Sequence, residues 1–271
     1  KYIGEIMTIV QAIIFGIIQG LTEFLPVSSS GHLVLFSRIF GVDCDFVLFS
    51  VIMHVATLFA VVIYFHKDIW YLCKHPFGKD ARKLYLATIP TVVIVLVFKD
   101  FVDSAFDGVL LPFCFMFTAV LLFVCQLLCQ KNKNNFEGQI TNGDGNDYGK
   151  YTDNKTAFFM GVAQGIAILP GISRSGATMC TGMMLGRDRE QAARFSFLMS
   201  IPIILASMCY EVFGIIKGGG ANLVGFLPCA LGFVFAFVIG FLSIALMLKA
   251  VKNMKLWWFS IYLVAIAVVS F

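Results

Sequence analysis

Apolar residues run along the chain in long blocks separated by short polar breaks. Six blocks are long enough to cross a hydrocarbon layer as a helix, which takes roughly 17 to 25 residues. They lie at about 45 to 65, 84 to 99, 108 to 130, 192 to 214, 223 to 248 and 256 to 271. The second and the last are short at their apolar cores, so flanking residues must carry part of the crossing. Two further apolar stretches, about 7 to 40 and 156 to 187, are broken in the middle by Pro, Gly and Ser. Such a break removes helix hydrogen bonds, and a membrane interior tolerates that only where backbone lines a cavity within the protein. Each is therefore predicted to be a re-entrant hairpin of two half-helices. The expected fold is an all-α integral membrane protein with six transmembrane helices and two re-entrant helical hairpins.

The two broken stretches superimpose under one shift of 145 residues. Gly16 falls on Gly161, Gln19 on Gln164, Gly20 on Gly165, Ser28 on Ser173, Ser30 on Ser175 and Gly31 on Gly176, and only Pro26 and Pro170 slip by one. A fainter echo, Phe49 to His54 against Phe195 to Ser200, carries the repeat into the following span. This is a duplicated unit. The chain divides into a first repeat (1–130), a polar linker (131–155) and a second repeat (156–271). With three crossings per repeat, an odd number, the second copy enters the bilayer upside down, which gives an inverted-topology repeat whose hairpins meet near the middle.

Composition agrees with a membrane setting: 59% of the residues are apolar, 13% are charged and the mean hydropathy is +0.87, too little polar surface to coat a soluble globule. The net charge of +4 is modest and suggests no nucleic-acid surface. Its distribution says more. Lys67, Lys74, Lys79, Arg82 and Lys83, then Arg187, Arg189 and Arg194, then Lys249, Lys252 and Lys255 fall on one side if the spans alternate, and that side is cytoplasmic. Asp43, Asp45, Asp100, Asp103, Asp107 and the glycine-rich stretch 217 to 222 face the other way, with both termini outside. The eight cysteines show no paired Cys-x-x-Cys clusters and no His partners at zinc spacing, and read as small apolar fillers. Without a charged n-region or cleavage site, the start of the chain reads as mature protein.

The polar breaks carry the candidate chemistry. Each half-helix restarts near Ser30 or Ser175 with unpaired backbone donors, which attract anions. Arg174, with a guanidinium able to grip phosphate bidentately, and the hydroxyls of Ser28, Ser29, Ser30, Ser173 and Ser175 complete a site shaped for a phosphorylated ligand. A lone intramembrane Arg costs at least about 2.5 kcal/mol unless paired, and Glu23 or a bound anion would pair it. Gln19 and Glu23 share a helix face, and a hairpin tip can bring His32 to them, so Glu23 is expected to orient His32 or shuttle a proton. Histidine can attack phosphorus directly or act as base and acid beside a serine, and the residues alone do not separate the two. His54, on a face with Ser50, is either a ligand of the site or bonded to a neighbouring helix. Gly and Ser at helix contacts also serve plain packing.

At Gln19 to His32 and Leu169 to Thr178 the chain resembles the two signature regions of the bacterial undecaprenyl diphosphate phosphatase family of the bacitracin-resistance type, and the likeness extends over essentially its whole length. The resemblance implies a plasma-membrane enzyme that removes the terminal phosphate of a long polyprenyl diphosphate and regenerates the monophosphate carrier of cell-wall synthesis. It also implies a pocket open to the outer face. By position it assigns catalysis to Glu23, Ser29, His32 and Arg174, with Gln19, Ser28, Ser30, Gly31, Ser173, Ser175, Gly176 and His54 beside the substrate. Gln19 and Ser50 stand where relatives often carry an acid, so metal ligands stay unassigned. A divalent cation, Mg or Ca, stays open because a diphosphate can bring one with it. No organic cofactor is expected. The expected partners are the polyprenyl diphosphate, the surrounding lipids and, as an open option, a second copy in a homodimer. The rival readings are a lipid-phosphate flippase or anion transporter on the same inverted-repeat scaffold, and a non-catalytic scaffold that binds lipid phosphate.

Overall fold

The computed structural model describes residues 7–42, 46–105, 108–131, 152–218 and 225–271, and all its regular structure among these is helical. Most of the polar linker, Asp43, Asp45, Asp107 and much of the glycine-rich stretch lie outside the described residues. Before the linker the chain forms α1 (Ile9–Thr22), α2 (Ser29–Ile39), α3 (Phe46–Tyr64), α4 (His66–Lys74), α5 (Lys79–Val97), α6 (Lys99–Ala105) and α7 (Leu111–Lys131). After it come α8 (Asn154–Ile166), α9 (Arg174–Met184), α10 (Arg189–Gly218), α11 (Phe226–Ala250) and α12 (Trp257–Val269).

By length and composition, α7, α10 and α11 can each cross a membrane, and a fourth span forms if α3 and α4 count as one helix bent by 79°. The chain is thus a multi-pass membrane protein. α12, with 13 residues, is only about 20 Å long at 1.5 Å per residue. The segment from 66 to 83, expected as a basic loop, instead contains α4. Trp70 lies against Lys74 on this helix, and Asp68 is its buried residue. Three basic segments far apart in sequence meet at one end of the bundle. Arg194 reaches Asp68 at 3.5 Å and Glu190 at 3.7 Å, and Lys252 reaches Glu190 at 2.7 Å.

Helix starts are written locally. Thr8 and Gln11 form a capping box on α1, Asp153 caps α8, and Ser28 and Ser173 cap α2 and α9. Packing then crosses the linker: α1 lies along α11, α8 lies along α5, and α7 pairs with α12. The duplication extends to the atoms at these crossings. A Cβ on Gly16 would strike the carbonyl of Gly232, and one on Gly161 would strike the carbonyl of Ala87. Position 87 shifted by 145 is again 232. Small residues let backbones touch where lipid offers no hydrophobic drive for association. Gly161→Ala is therefore expected to cost about 1–3 kcal/mol, seen as a lowered thermal midpoint in detergent. An unchanged midpoint would show that the α5–α8 crossing yields.

Candidate active site

Pro26 in one break and Pro170 in the other cannot donate a backbone hydrogen bond, so each helix stops and restarts. α2 restarts from Ser28, whose φ of +70° is in the left-handed region that costs a non-glycine residue about 1–3 kcal/mol. Its surroundings hold it there. Ser28 Oγ accepts hydrogen bonds from Gly31 N at 3.3 Å and, across the repeats, from Gly171 N at 3.1 Å. Thr118 of α7 donates to the Gly171 carbonyl at 3.0 Å and accepts from Ser173 N at 3.1 Å. Ser175 Oγ donates to the Leu25 carbonyl at 2.8 Å. The two breaks are thus joined back to back.

Glu23 sits at their meeting point as the C-cap of α1, with its side chain only 2% exposed. Arg174 donates to one carboxylate oxygen. The other oxygen accepts from Ser29 Oγ at 2.5 Å and from Gln19 Nε2 at 2.9 Å. His54 Nε2 stands 3.7 Å from that same oxygen, beyond hydrogen-bond length but within ion-pair range. Because His54 Nδ1 lies 2.7 Å from the Ser50 carbonyl, and a carbonyl only accepts, Nε2 carries a hydrogen toward Glu23 only when the ring is protonated. Ser29 and Arg174 are each the first residue of a half-helix and coincide under the shift of 145. One acid is held from both repeats by corresponding positions.

Not every expected site residue turns this way. His32 is buried with Nδ1 2.7 Å from the Ser28 carbonyl and Nε2 2.7 Å from the Tyr262 hydroxyl, and among the described residues no hydrogen bond joins it to Glu23. The expectation that Glu23 orients His32 is corrected on that point. The ring folds back onto the helix start and docks on α12, leaving Glu23 to Ser29. Ser28 and Ser173 serve as caps, and Gly31 and Gly176 donate to them. Ser30 lies 3.5 Å from Ser28, and Ser175 is spent on Leu25. Tyr262 went unread because it is a single phenol in an apolar run.

The donor set does not suit a resident Ca ion, which takes about six to eight oxygen ligands, whereas Mg keeps several waters and uses only one or two carboxylates beside substrate phosphates. Glu23 has both oxygens engaged, one of them by a cation, and no group of three His, Cys, Asp or Glu gathers among the described residues. Gln19 Oε1 is buried without a hydrogen-bond partner among the described residues.

Apolar helices enclosing an acid, a guanidinium and a hydroxyl where two helix starts meet define a multi-pass membrane protein with a buried ion pair. The chain belongs to the bacitracin resistance protein BacA family, whose model matches residues 12–269. Among its relatives, a protein of Carboxydothermus hydrogenoformans is 39% identical over 255 residues, covering 93% of this chain and 92% of that one. One from Treponema denticola is 39% identical over 274 residues, covering 95% and 94%, and one from Methanosphaera stadtmanae is 33% identical over 286 residues, covering 97% of each. All three are named undecaprenyl-diphosphatase.

Proposed function

We propose that the chain is a membrane phosphatase that hydrolyses undecaprenyl diphosphate to the monophosphate and inorganic phosphate, recycling the lipid carrier of bacterial cell-wall synthesis. The observation that carries this reading is the Glu23 carboxylate shared by Ser29 and Arg174, in a chain alike over most of its length to proteins of that name.

The mechanism starts from the closed network. Arg174 has five N–H donors, so it can transfer to the terminal phosphate as that group arrives, and the helix starts add their backbone dipoles. Glu23, relieved of its cation, takes the proton from Ser29. Ser29 Oγ then attacks the terminal phosphorus, the bridging P–O bond breaks and the lipid leaves as monophosphate. Water, with one hydrogen held by Gln19 Oε1, then attacks the phosphoserine; the Ser29 Oγ–P bond breaks, Ser29 takes its proton back from Glu23 and inorganic phosphate leaves. Positioning and electrostatic stabilisation supply most of the acceleration. Any Mg or Ca arrives as the counter-ion of the diphosphate.

In this reading six spans, α3, α5, α7, α10, α11 and α12, surround re-entrant pairs α1–α2 and α8–α9 from opposite faces. The basic end lies in the cytoplasm, both termini lie outside, and the diphosphate head comes in from the outer face. Purified protein in detergent, with no gradient and no second compartment, provides the test. It is expected to release inorganic phosphate from long isoprenoid diphosphates, and repeating the assay with chelator separates a reaction that needs the counter-ion from one that does not. Binding without release would reduce it to a carrier or scaffold.

A further inference from the structure

His32 is held at both nitrogens. The Ser28 carbonyl can only accept, so Nδ1 carries the hydrogen of a neutral ring and Nε2 is left with a lone pair. The Tyr262 hydroxyl, 2.7 Å away, fills that lone pair by donating to it. The imidazole and phenol planes differ by 5° with centroids 5.7 Å apart, and the edge of Phe115 closes the imidazole at 5.4 Å and 78°. His32 is 1% exposed, whereas Tyr262 is 42% exposed, so the phenol reaches from the buried ring to the outer surface of α12.

Tyr262 is also firmly placed. The start of α12 is tied to α7 by the Leu256 N–H, which donates to Gln126 Oε1 at 3.0 Å. Arg189 donates to that same oxygen at 3.4 Å and to the Met254 carbonyl at 2.6 Å. Leu256 and Leu263 are buried on either side of Tyr262 in sequence. On an apolar helix face turned to lipid, a tyrosine hydroxyl pointing outward would find no hydrogen-bond partner. Here it turns in.

We propose that Tyr262 is the positioning residue of His32: its hydroxyl fixes the Nδ1–H tautomer and covers Nε2, so that His32 holds the Ser28 carbonyl and the start of α2 in register beside Ser29 and is not the attacking group. This rests on the phosphatase reading and deepens it, because it sets Ser29 apart from His32 as nucleophile. No bond to phosphorus forms at Nε2 while the phenol covers it.

The test uses the full chain in detergent and two independent readouts. Nitrogen-15 NMR of ring-labelled histidine, with His32 assigned by its loss in His32→Ala, is expected to show a neutral Nδ1–H ring. In Tyr262→Phe that resonance pattern is expected to shift. In turnover, Tyr262→Phe is expected to lose roughly tenfold in kcat with KM unchanged, the scale of one neutral hydrogen bond. A His32 pattern identical in wild type and Tyr262→Phe would overturn the proposal, as would full kcat in Tyr262→Phe or a loss seen only in KM. Absence of phosphate release by the wild-type chain would sink the phosphatase reading alone, since the NMR pattern still judges Tyr262.

Discussion

Arg174→Ala is expected to lower phosphate release from a polyprenyl diphosphate by about three orders of magnitude or more, the scale of arginines that stabilise phosphoryl transfer. It is also expected to weaken the fold. Glu23 would be left buried without its cation, and breaking a buried pair from one side costs about 3–5 kcal/mol. The two effects separate in a double variant. Glu23→Gln combined with Arg174→Ala removes both charges, so the thermal midpoint should recover most of the loss while turnover stays absent. Arg174→Lys keeps the charge but loses the planar fork, so it should retain stability better than activity. A fully active Arg174→Ala would remove the arginine from the mechanism, and a double variant no more stable than the single one would deny the pairing.

Ser29→Ala is the second large effect: with the attacking oxygen removed, kcat is expected to fall by about 10⁴–10⁶ with KM nearly constant. The substrate is still gripped by Arg174, whereas the oxygen that bonds Glu23 at 2.5 Å is gone. Ser173→Ala supplies the contrast. As a cap, it should cost about 1 kcal/mol of stability and change kcat little. Equal losses of kcat in the two serine variants would mean that the hydroxyls act as a collective anion cradle and that Ser29 has no special part.

How much of this was legible in the sequence differs residue by residue. The pairing of Arg174 with Glu23 was readable because a charge in an apolar segment must find an opposite charge, and few are available. The helix breaks were readable from Pro26 and Pro170 set against the 145-residue shift, and in each a helix stops and another restarts. The roles of the serines were not, because capping a helix and attacking a phosphate call for the same side chain. Only coordinates show that Ser29 meets Glu23 while Ser28 and Ser173 hold backbone. His32 illustrates a further limit. Its spacing from Glu23 fits a shared tip, but ring orientation is decided by the Ser28 carbonyl and by a tyrosine 230 positions away, which no local pattern announces. α4 is hidden in a stretch whose basic residues mark a loop, although its bend from α3 places Asp68 where Arg194 can reach it.

The matched places of Ser29 and Arg174 bear on how such a molecule could have arisen. Two identical halves joined head to tail would present serine twice or arginine twice to the acid, and would bring two acids or none. Only after the copies drifted apart could one contribute the reactive oxygen and the other the positive charge. A chain built that way would be a covalently tethered mismatched couple, and since Glu23 and Ser29 lie before the linker and Arg174 after it, neither segment holds the whole network if it is cut from the other.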